Sequence, residues 1–343
     1  LGVAPPGRAF RGVSYLDARH QVTAQFDSGA GLGVRRTTLH AALLDAAVAA
    51  GVDIVQDAVR AVSQDDDAAT VHATRTDIRA RYVAAADGLH SPIRASLHLE
   101  LPAGRARRWG LKRHVAVAPW SEFVEVYWSA DTEAYLTPVA DDCVGIAILT
   151  SRQARFEQHL AAFPTLRDRL DGHAHGPDRA AGPLRQRVHR RTAGRVLLVG
   201  DAAGYVDALT GEGLGLAFAA SRLLVDSVVA DRPQDYERQW RRATRRYRLL
   251  TEGMLAVGTS PLRSVVVPAA ARSNSHVSAT SHDLSVLAAA ADRATTAGGA
   301  SSHDTPTGVP ESPDGGIDTD GRGRVPTGVQ QCDGGSDGGI SVQ

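Results

Sequence analysis

One run of this chain limits its possible folds more than any other. Arg195-Val-Leu-Leu-Val-Gly-Asp-Ala-Ala-Gly204 is a short, wholly apolar stretch that stops at a glycine–aspartate pair and small residues. Four consecutive apolar residues, Val196 to Val199, read as a strand covered on both faces, as in a parallel sheet flanked by helices. Gly211-Glu-Gly-Leu-Gly215 follows and opens an apolar helical stretch over roughly residues 212–230. A buried strand, a turn of small residues and a glycine-rich helix start together predict an α/β fold with a ligand at the strand's C-terminal end. A carboxylate there, Asp201, can accept hydrogen bonds from sugar-like hydroxyls. The glycines allow close backbone approach, and the helix start presents free N–H groups to an electron-rich atom.

The rest of the chain divides by pattern. Leu39, Ala42, Leu43, Ala46, Ala47 and Ala50 recur at helical spacing before Gly51, which predicts a helix over 37–50. Val52 to Val55 reads as a short strand, as do Val71 to Thr74 and Arg79 to Ala86. His114–Ala118, Phe123–Trp128, Ala134–Val139 and Val144–Leu149 are apolar or alternating runs separated by turn residues, which predicts an antiparallel sheet. Phe156 to Phe163 and Asp235 to Leu250 read as helices. After Arg272, Ser, Thr, Asp, Gly and Pro dominate, and such a segment cannot bury enough apolar area to offset its ordering entropy. The expected organisation is a ligand-binding part over 1–110, a sheet over 111–185, a return to the binding part over 186–265, and a disordered tail over 266–343. The change at Arg272 is also what a shifted reading frame would give.

Composition excludes several classes. The 38 Lys and Arg balance 38 Asp and Glu, so no net field favours nucleic acid, and the Arg-rich stretch around Trp240 reads as a solvated helix face. Nothing approaches the ~20 apolar residues of a membrane span. Only Cys143 and Cys332 are present, which makes no disulfide framework and fits a reducing cytoplasm. His173 and His175 share a loop without further ligands at metal-binding spacing, so no metal site is expected.

The segment Gly200-Asp-Ala-Ala-Gly-Tyr-Val-Asp-Ala-Leu-Thr-Gly-Glu-Gly-Leu-Gly215 resembles the second FAD motif of the FAD-dependent aromatic-hydroxylase superfamily, whose relatives include geranylgeranyl reductases and flavin halogenases. One position departs: Ala208 stands where many members have proline. Tyr82-Val-Ala-Ala-Ala-Asp-Gly-Leu-His-Ser-Pro-Ile-Arg94 resembles the same superfamily's Asp-Gly motif. Arg36, three residues before Leu39, matches an arginine that reaches the FAD. The resemblance covers about residues 10–260. It implies a three-layer FAD-binding domain with an antiparallel substrate sheet, and cofactor contacts at Arg36, Asp87, Gly88, Gly200, Asp201, Gly204, Gly211, Gly213 and Gly215. It also implies NAD(P)H as electron donor and a small-molecule substrate, with Trp128, Tyr135 and Pro138 as candidate pocket residues and no catalytic residue assigned.

The superfamily's opening strand, Gly-x-Gly-x-x-Gly and helix are not in the sequence. Gly29-Ala-Gly-Leu-Gly33 has the wrong spacing and follows no apolar strand. The resemblance thus implies that the first ADP-binding unit is missing and that Leu1 is a fragment's edge. A hydroxylase-type monooxygenase leads. A reductase is second, on the partial match of Tyr135-Leu-Thr-Pro138, and a catalytically inactive fragment is the alternative. Halogenation is disfavoured, because the halogenases' Trp-x-Trp-x-Ile-Pro is not found and Lys112, the only lysine, lacks the context of their reactive lysine.

Overall fold

The fold was analysed in a computed structural model, which describes residues 2–258 except 28, 103, 105 and 106, together with residues 260 and 268. The expected disordered tail over 266–343, apart from residue 268, and Cys332 lie outside the described residues.

Short strands open the chain: β1 (Arg8–Phe10), β2 (Gly12–Leu16), β3 (Gln21–Gln25) and β4 (Gly31–Gly33). Helix α1 (Arg36–Ala49) precedes β5 (Val59–Gln64), β6 (Ala69–Ala73), β7 (Asp77–Ala80) and β8 (Val83–Ala85). Then come α2 (Pro92–Ser96), β9 (Glu100–Leu101), β10 (Trp109–Val115), β11 (Val124–Trp128), β12 (Thr132–Ala140) and β13 (Cys143–Thr150). Helices α3 (Phe156–Leu160) and α4 (Pro164–Leu170) are followed by β14 (Arg179–Ala181), β15 (Arg187–Val188), β16 (Thr192–Ala193) and β17 (Val196–Leu198). A 3-10 turn over Gly200–Ala203 leads to α5 (Gly213–Val229) and α6 (Pro233–Gly258).

The sheet expected over 111–185 also draws on residues nearer the start of the chain. Its seven strands run β14-β10-β13-β12-β11-β2-β3, with the last two drawn from residues 12–25. All its pairings are antiparallel except β11 with β2. Alternation gives it two apolar faces. Leu111, Val115, Leu136, Ile146 and Ile148 point to one side, where Phe156, Leu160, Phe163 and Leu166 of α3 and α4 cover them. The other face carries Val13, Tyr15 and Val126. The helix expected over 156–163 ends at Leu160, and a separate helix, α4, starts at Pro164, a residue suited to a first helical position because it has no N–H to donate.

The second layer system forms around β17, which pairs in parallel with β8. Val196, Leu197 and Leu198 are fully buried among Ala202, Ala203, Leu224, Tyr236 and Trp240. Tyr236 of α6 donates its hydroxyl to the Leu198 carbonyl at 2.9 Å. The strand expected over 79–86 is two strands: β7 closes the β5-β6-β7 meander and β8 joins β17. Gly31–Gly33 pairs with β1 as an ordinary strand.

Val52–Val55, expected as a strand, has no ladder partner. Val52, Ile54 and Val55 are 52%, 43% and 52% exposed. An apolar segment becomes a strand only where it pairs with a neighbour, and no pairing to 52–55 is present among the described residues. Helix α1 likewise buries no residue fully, despite its apolar spacing.

Leu197 sits at the centre of the parallel layer. Leu197→Ala is expected to cost about 2–5 kcal/mol of unfolding free energy. Leu249→Ala, on the exposed side of α6, is expected to stay within roughly 0.5 kcal/mol. Urea unfolding of both variants checks the contrast.

Candidate functional site

Parallel pairing of β8 and β17 brings their C-terminal ends side by side, so the two motifs that follow them meet, as ligand crevices do in open α/β sheets. After β8, the chain turns through Gly88 at φ +81°. Asp87 then accepts the Ile93 N–H at 3.0 Å, and Ser91 accepts that of Arg94 at 2.9 Å, which together cap α2. Asp87 is thus partly committed to its own turn, while the residue itself stays exposed.

Arg94 ties this turn to the one after β17. It is 1% exposed. It donates to the carbonyls of Leu89 at 2.9 Å and Ala202 at 3.2 Å, to Gln186 Oε1 at 3.0 Å and to Glu100 Oε1 at 3.2 Å. From the other side, Arg191 donates to the Ala203 carbonyl at 3.0 Å, pairs with Glu237 at 3.1 Å, and lies 3.9 Å from the Trp240 ring centre. Two guanidinium groups therefore hold the 3-10 turn that carries Asp201.

The Asp201 side chain has no hydrogen-bond partner among the described residues. Burial pushes its carboxyl above the ordinary carboxylate range, and the charge of Arg36 opposes that shift. Arg36 opens α1, and its Nε is buried without a partner among the described residues, as is that of Arg35. Gly200, Asp201, Gly204 and Gly213 line one crevice of about 210 Å³, Arg36 and Gly211 line the cavity next to it, Gly215 lines neither, and Asp87 and Gly88 follow the neighbouring strand β8. Gly204 (φ +114°) and Gly211 (φ +69°) adopt conformations that other residues rarely take. Orphaned arginine nitrogens, an unpartnered carboxylate and a backbone bared by glycine fit the ribityl and ring portions of FAD. No described residues form a strand, Gly-x-Gly-x-x-Gly and helix to hold its adenosine end.

Beside this crevice is a cavity of about 230 Å³ between the loop Ala208–Gly211 and the open face of the large sheet. Tyr135 lines it and donates its hydroxyl to the Leu209 carbonyl at 3.3 Å. The other two residues expected there do not line it. Pro138 falls out of phase with Tyr135, Thr137 and Val139, which alternate toward the cavity. Trp128 packs instead in the cluster of Val13, Val126 and Met254. Sequence reasoning missed Lys112 and His114, which also line the cavity. The available signal was their two-residue spacing on a strand, which places both on one face.

A buried charge cluster joins sheet and loop. Arg108 donates to Glu133 and lies 3.6 Å from Asp207. Burial drives the Asp207 carboxyl up to about 6; Arg108 opposes the shift and Glu133 adds to it. The Asp207 carbonyl accepts from the Tyr247 hydroxyl at 3.2 Å. Elsewhere, His175 is held to the Gly176 carbonyl at 2.9 Å. Among the described residues no group of three or more His, Cys, Asp or Glu could hold a metal ion, and no helix is long and apolar enough to cross a membrane.

The family model described as FAD binding domain matches residues 6–228. No curated protein sequence matches the chain. Among solved structures, the fold resembles CmlS, a flavin-dependent halogenase, with TM-score 0.64 and 18% identity over 71% of this chain and 51% of that one. It resembles a flavoprotein/dehydrogenase from Cytophaga hutchinsonii with TM-score 0.68 and 15% identity, over 82% of this chain and 77% of that one. The myxobacterial chondrochloren halogenase CndH gives TM-score 0.63 and 17% identity, over 73% and 67%. The chain thus spans about half the length of CmlS.

Arg94→Lys keeps the charge but not the fork, leaving buried carbonyls unsatisfied; it is expected to cost about 2–4 kcal/mol in urea unfolding. Asp207 gives a pH signature. Because its folded value is near 6 against an ordinary 3.8, the folded protein holds that proton more tightly than the unfolded chain. Its contribution to stability falls as pH rises through that window and is level above it. The Tm of Asp207→Asn relative to the parent should therefore rise between these two pH values and then plateau, as thermal unfolding in a pH series would show.

Proposed function

The chain belongs to the FAD binding domain family, and from that premise we propose that it is part of a FAD-dependent oxidoreductase, an NAD(P)H-dependent monooxygenase that hydroxylates a small organic substrate. One observation carries the reading: the Asp201 carboxylate, unpartnered among the described residues, lines a glycine-bared crevice within the electrostatic reach of Arg36, whose orphaned Nε borders the adjoining cavity roofed by Ala208–Gly211.

Asp201 would accept hydrogen bonds from ribityl hydroxyls. The N–H groups of the first turn of α5, at Gly213 to Gly215, would face the electron-rich edge of the ring and stabilise the charge it gains on reduction. Arg36 would add its cation from the opposite wall, while Asp87 and Gly88 would lie toward the pyrophosphate. When bound, FAD supplies hydride acceptance from NAD(P)H and activation of oxygen. The protein's part is to orient substrate over the sheet and exclude water with Val13, Val126, Leu209 and Tyr135. A cytoplasmic setting, with NAD(P)H at hand and the buried Cys143 thiol kept reduced, goes with this reading.

A second reading is that this chain alone holds FAD too weakly to turn over, since its described residues offer no phosphate-binding strand–glycine–helix unit. Titrating the purified chain with FAD tests both. The first reading expects stoichiometric flavin binding, weakened roughly tenfold by Asp201→Ala through loss of a charge-assisted hydrogen bond. Flavin that never binds supports the second. With flavin bound, NADH or NADPH should bleach it anaerobically, and admitted oxygen should yield a hydroxylated product. A halogenated product formed only with added chloride or bromide would assign instead halogenation, the activity for which CmlS and CndH are named. Reduction of substrate without oxygen would assign a reductase.

A further inference from the structure

The floor of the cavity is divided by charge, and strand register sets the division. Lys112 lies opposite Ala147, Ala147 opposite Tyr135, Tyr135 opposite Val126, and Val126 opposite Tyr15. One row across four neighbouring strands and β2 thus runs from a lysine at the β10 end to apolar and aromatic groups at the β2 end. The adjacent row starts His114, Gly145, Thr137. Between the cationic edge and the middle of the sheet stand only Gly145 and Ala147, so no large side chain of β13 separates Lys112 from Tyr135, and the His114 ring itself lies over Gly145. A Cβ on Gly145 would already touch the His114 ring, at 3.5 Å.

Lys112 is placed at an electrostatic disadvantage in the protein alone. It is half-buried. Its side chain has no ion pair or hydrogen bond among the described residues. Burial, and then the charges of Arg36, Arg35 and Arg179, hold its ammonium below the usual lysine range. His114 has no side-chain partner either. Burial, Lys112 and Arg35 push it down to about 4, so at neutral pH it is an uncharged imidazole with one N–H to donate. Asp201 faces this group through the charge of Arg36. Three arginines and the only lysine of the sequence crowding an uncompensated, partly dry edge is unfavourable unless a ligand supplies the missing negative charge.

We infer that the cavity takes an organic acid. Its carboxylate or comparable anionic group is seated on Lys112 and His114 over β10, and its apolar, ring-sized body lies over Ala147 against the ring of Tyr135. Lys112 supplies the charge, and His114 and the Thr137 hydroxyl supply directional hydrogen bonds. The inference rests on the reading of this cavity as the substrate chamber. The rival anion is the reduced flavin ring itself, whose loop, Ala208–Gly211, forms the opposite wall.

The test is calorimetric binding of 1-naphthoate and 1-naphthamide, two probes of equal shape and different charge, to the full chain with and without added FAD. Naphthoate should bind at least about tenfold more tightly than naphthamide, the worth of one partly buried charge-assisted contact. Lys112→Met should erase the preference while naphthamide affinity holds, and Lys112→Arg should keep most of it. FAD affinity, titrated in parallel, should be unchanged in both variants. Equal binding of the two probes, no saturable binding of naphthoate, or a preference that survives Lys112→Met would overturn the inference. So would a Lys112→Met variant that loses FAD affinity as much as naphthoate affinity, since the cation would then belong to the flavin. The comparison of probes on the unaltered chain stands even if Lys112→Met fails to fold. If the chain discriminates acid from amide but binds no FAD, the flavin reading fails and this one stands; the converse result separates them the other way.

Discussion

The meeting of the two turns that form the crevice depends on one buried guanidinium. Arg94 reaches from a five-residue helix to the carbonyls of two turns that are more than a hundred residues apart in sequence, Leu89 after β8 and Ala202 after β17. A backbone carbonyl in a dry interior costs free energy unless a donor meets it. The planar fork of an arginine is the side chain best shaped to meet several at once. Because its donors are spent on the fold, Arg94 is not available to a ligand. Its effect is to fix where Asp201 and the exposed Asp87 lie relative to each other, so the crevice is set before anything binds. Glu100, half exposed, tempers the buried charge from one side.

The second dependence is between crevice and cavity. The loop from Asp207 to Gly211 is held by the sheet on one side, through Arg108 and the Tyr135 hydroxyl, and by α6 on the other, through Tyr247. Arg108 faces two acids, Glu133 and Asp207, in a place from which water is largely excluded. One cation cannot fully compensate two buried carboxylates, and Asp207, the more weakly contacted, is the one pushed toward its neutral form. The loop that would touch the flavin is therefore held partly by a group whose charge is unsettled near neutral pH.

Legibility in the sequence follows this division. The crevice could be read because its parts are local: a four-residue apolar run, a glycine–aspartate turn and a glycine-rich helix start all lie within Arg195 to Gly215. The strands of the large sheet could be read where alternation is long, from β11 to β13; β10, expected over 114–118, runs Trp109–Val115, and strands as short as β1 and β4 were not legible. Val52–Val55 has the composition of a strand, but composition cannot supply a pairing partner. The floor of the cavity was not legible, because it is a property of register. Lys112, Ala147, Tyr135, Val126 and Tyr15 form one row only after four pairings are set. A slip of one residue in any of them would turn every later side chain to the opposite face.

That sensitivity to register bears on how such a site can be specific at all. The face of the sheet away from the cavity is filled by the tightly packed cluster of Leu136, Ile146, Ile148, Phe156 and Leu166. Its contacts leave no freedom to exchange faces, since a slip would expose this whole set and bury Lys112, Tyr135 and Thr137 in its place. The hydrophobic side of the sheet thus enforces the chemistry of the polar side. The same packing that keeps α3 and α4 in place holds an ammonium and an imidazole on one edge of the cavity, and keeps charge from appearing over Val126 and Tyr15. Selectivity between an acid and its neutral analogue then needs no moving part. It needs only that an uncompensated cation be kept where an apolar body, once seated, brings the anion to it.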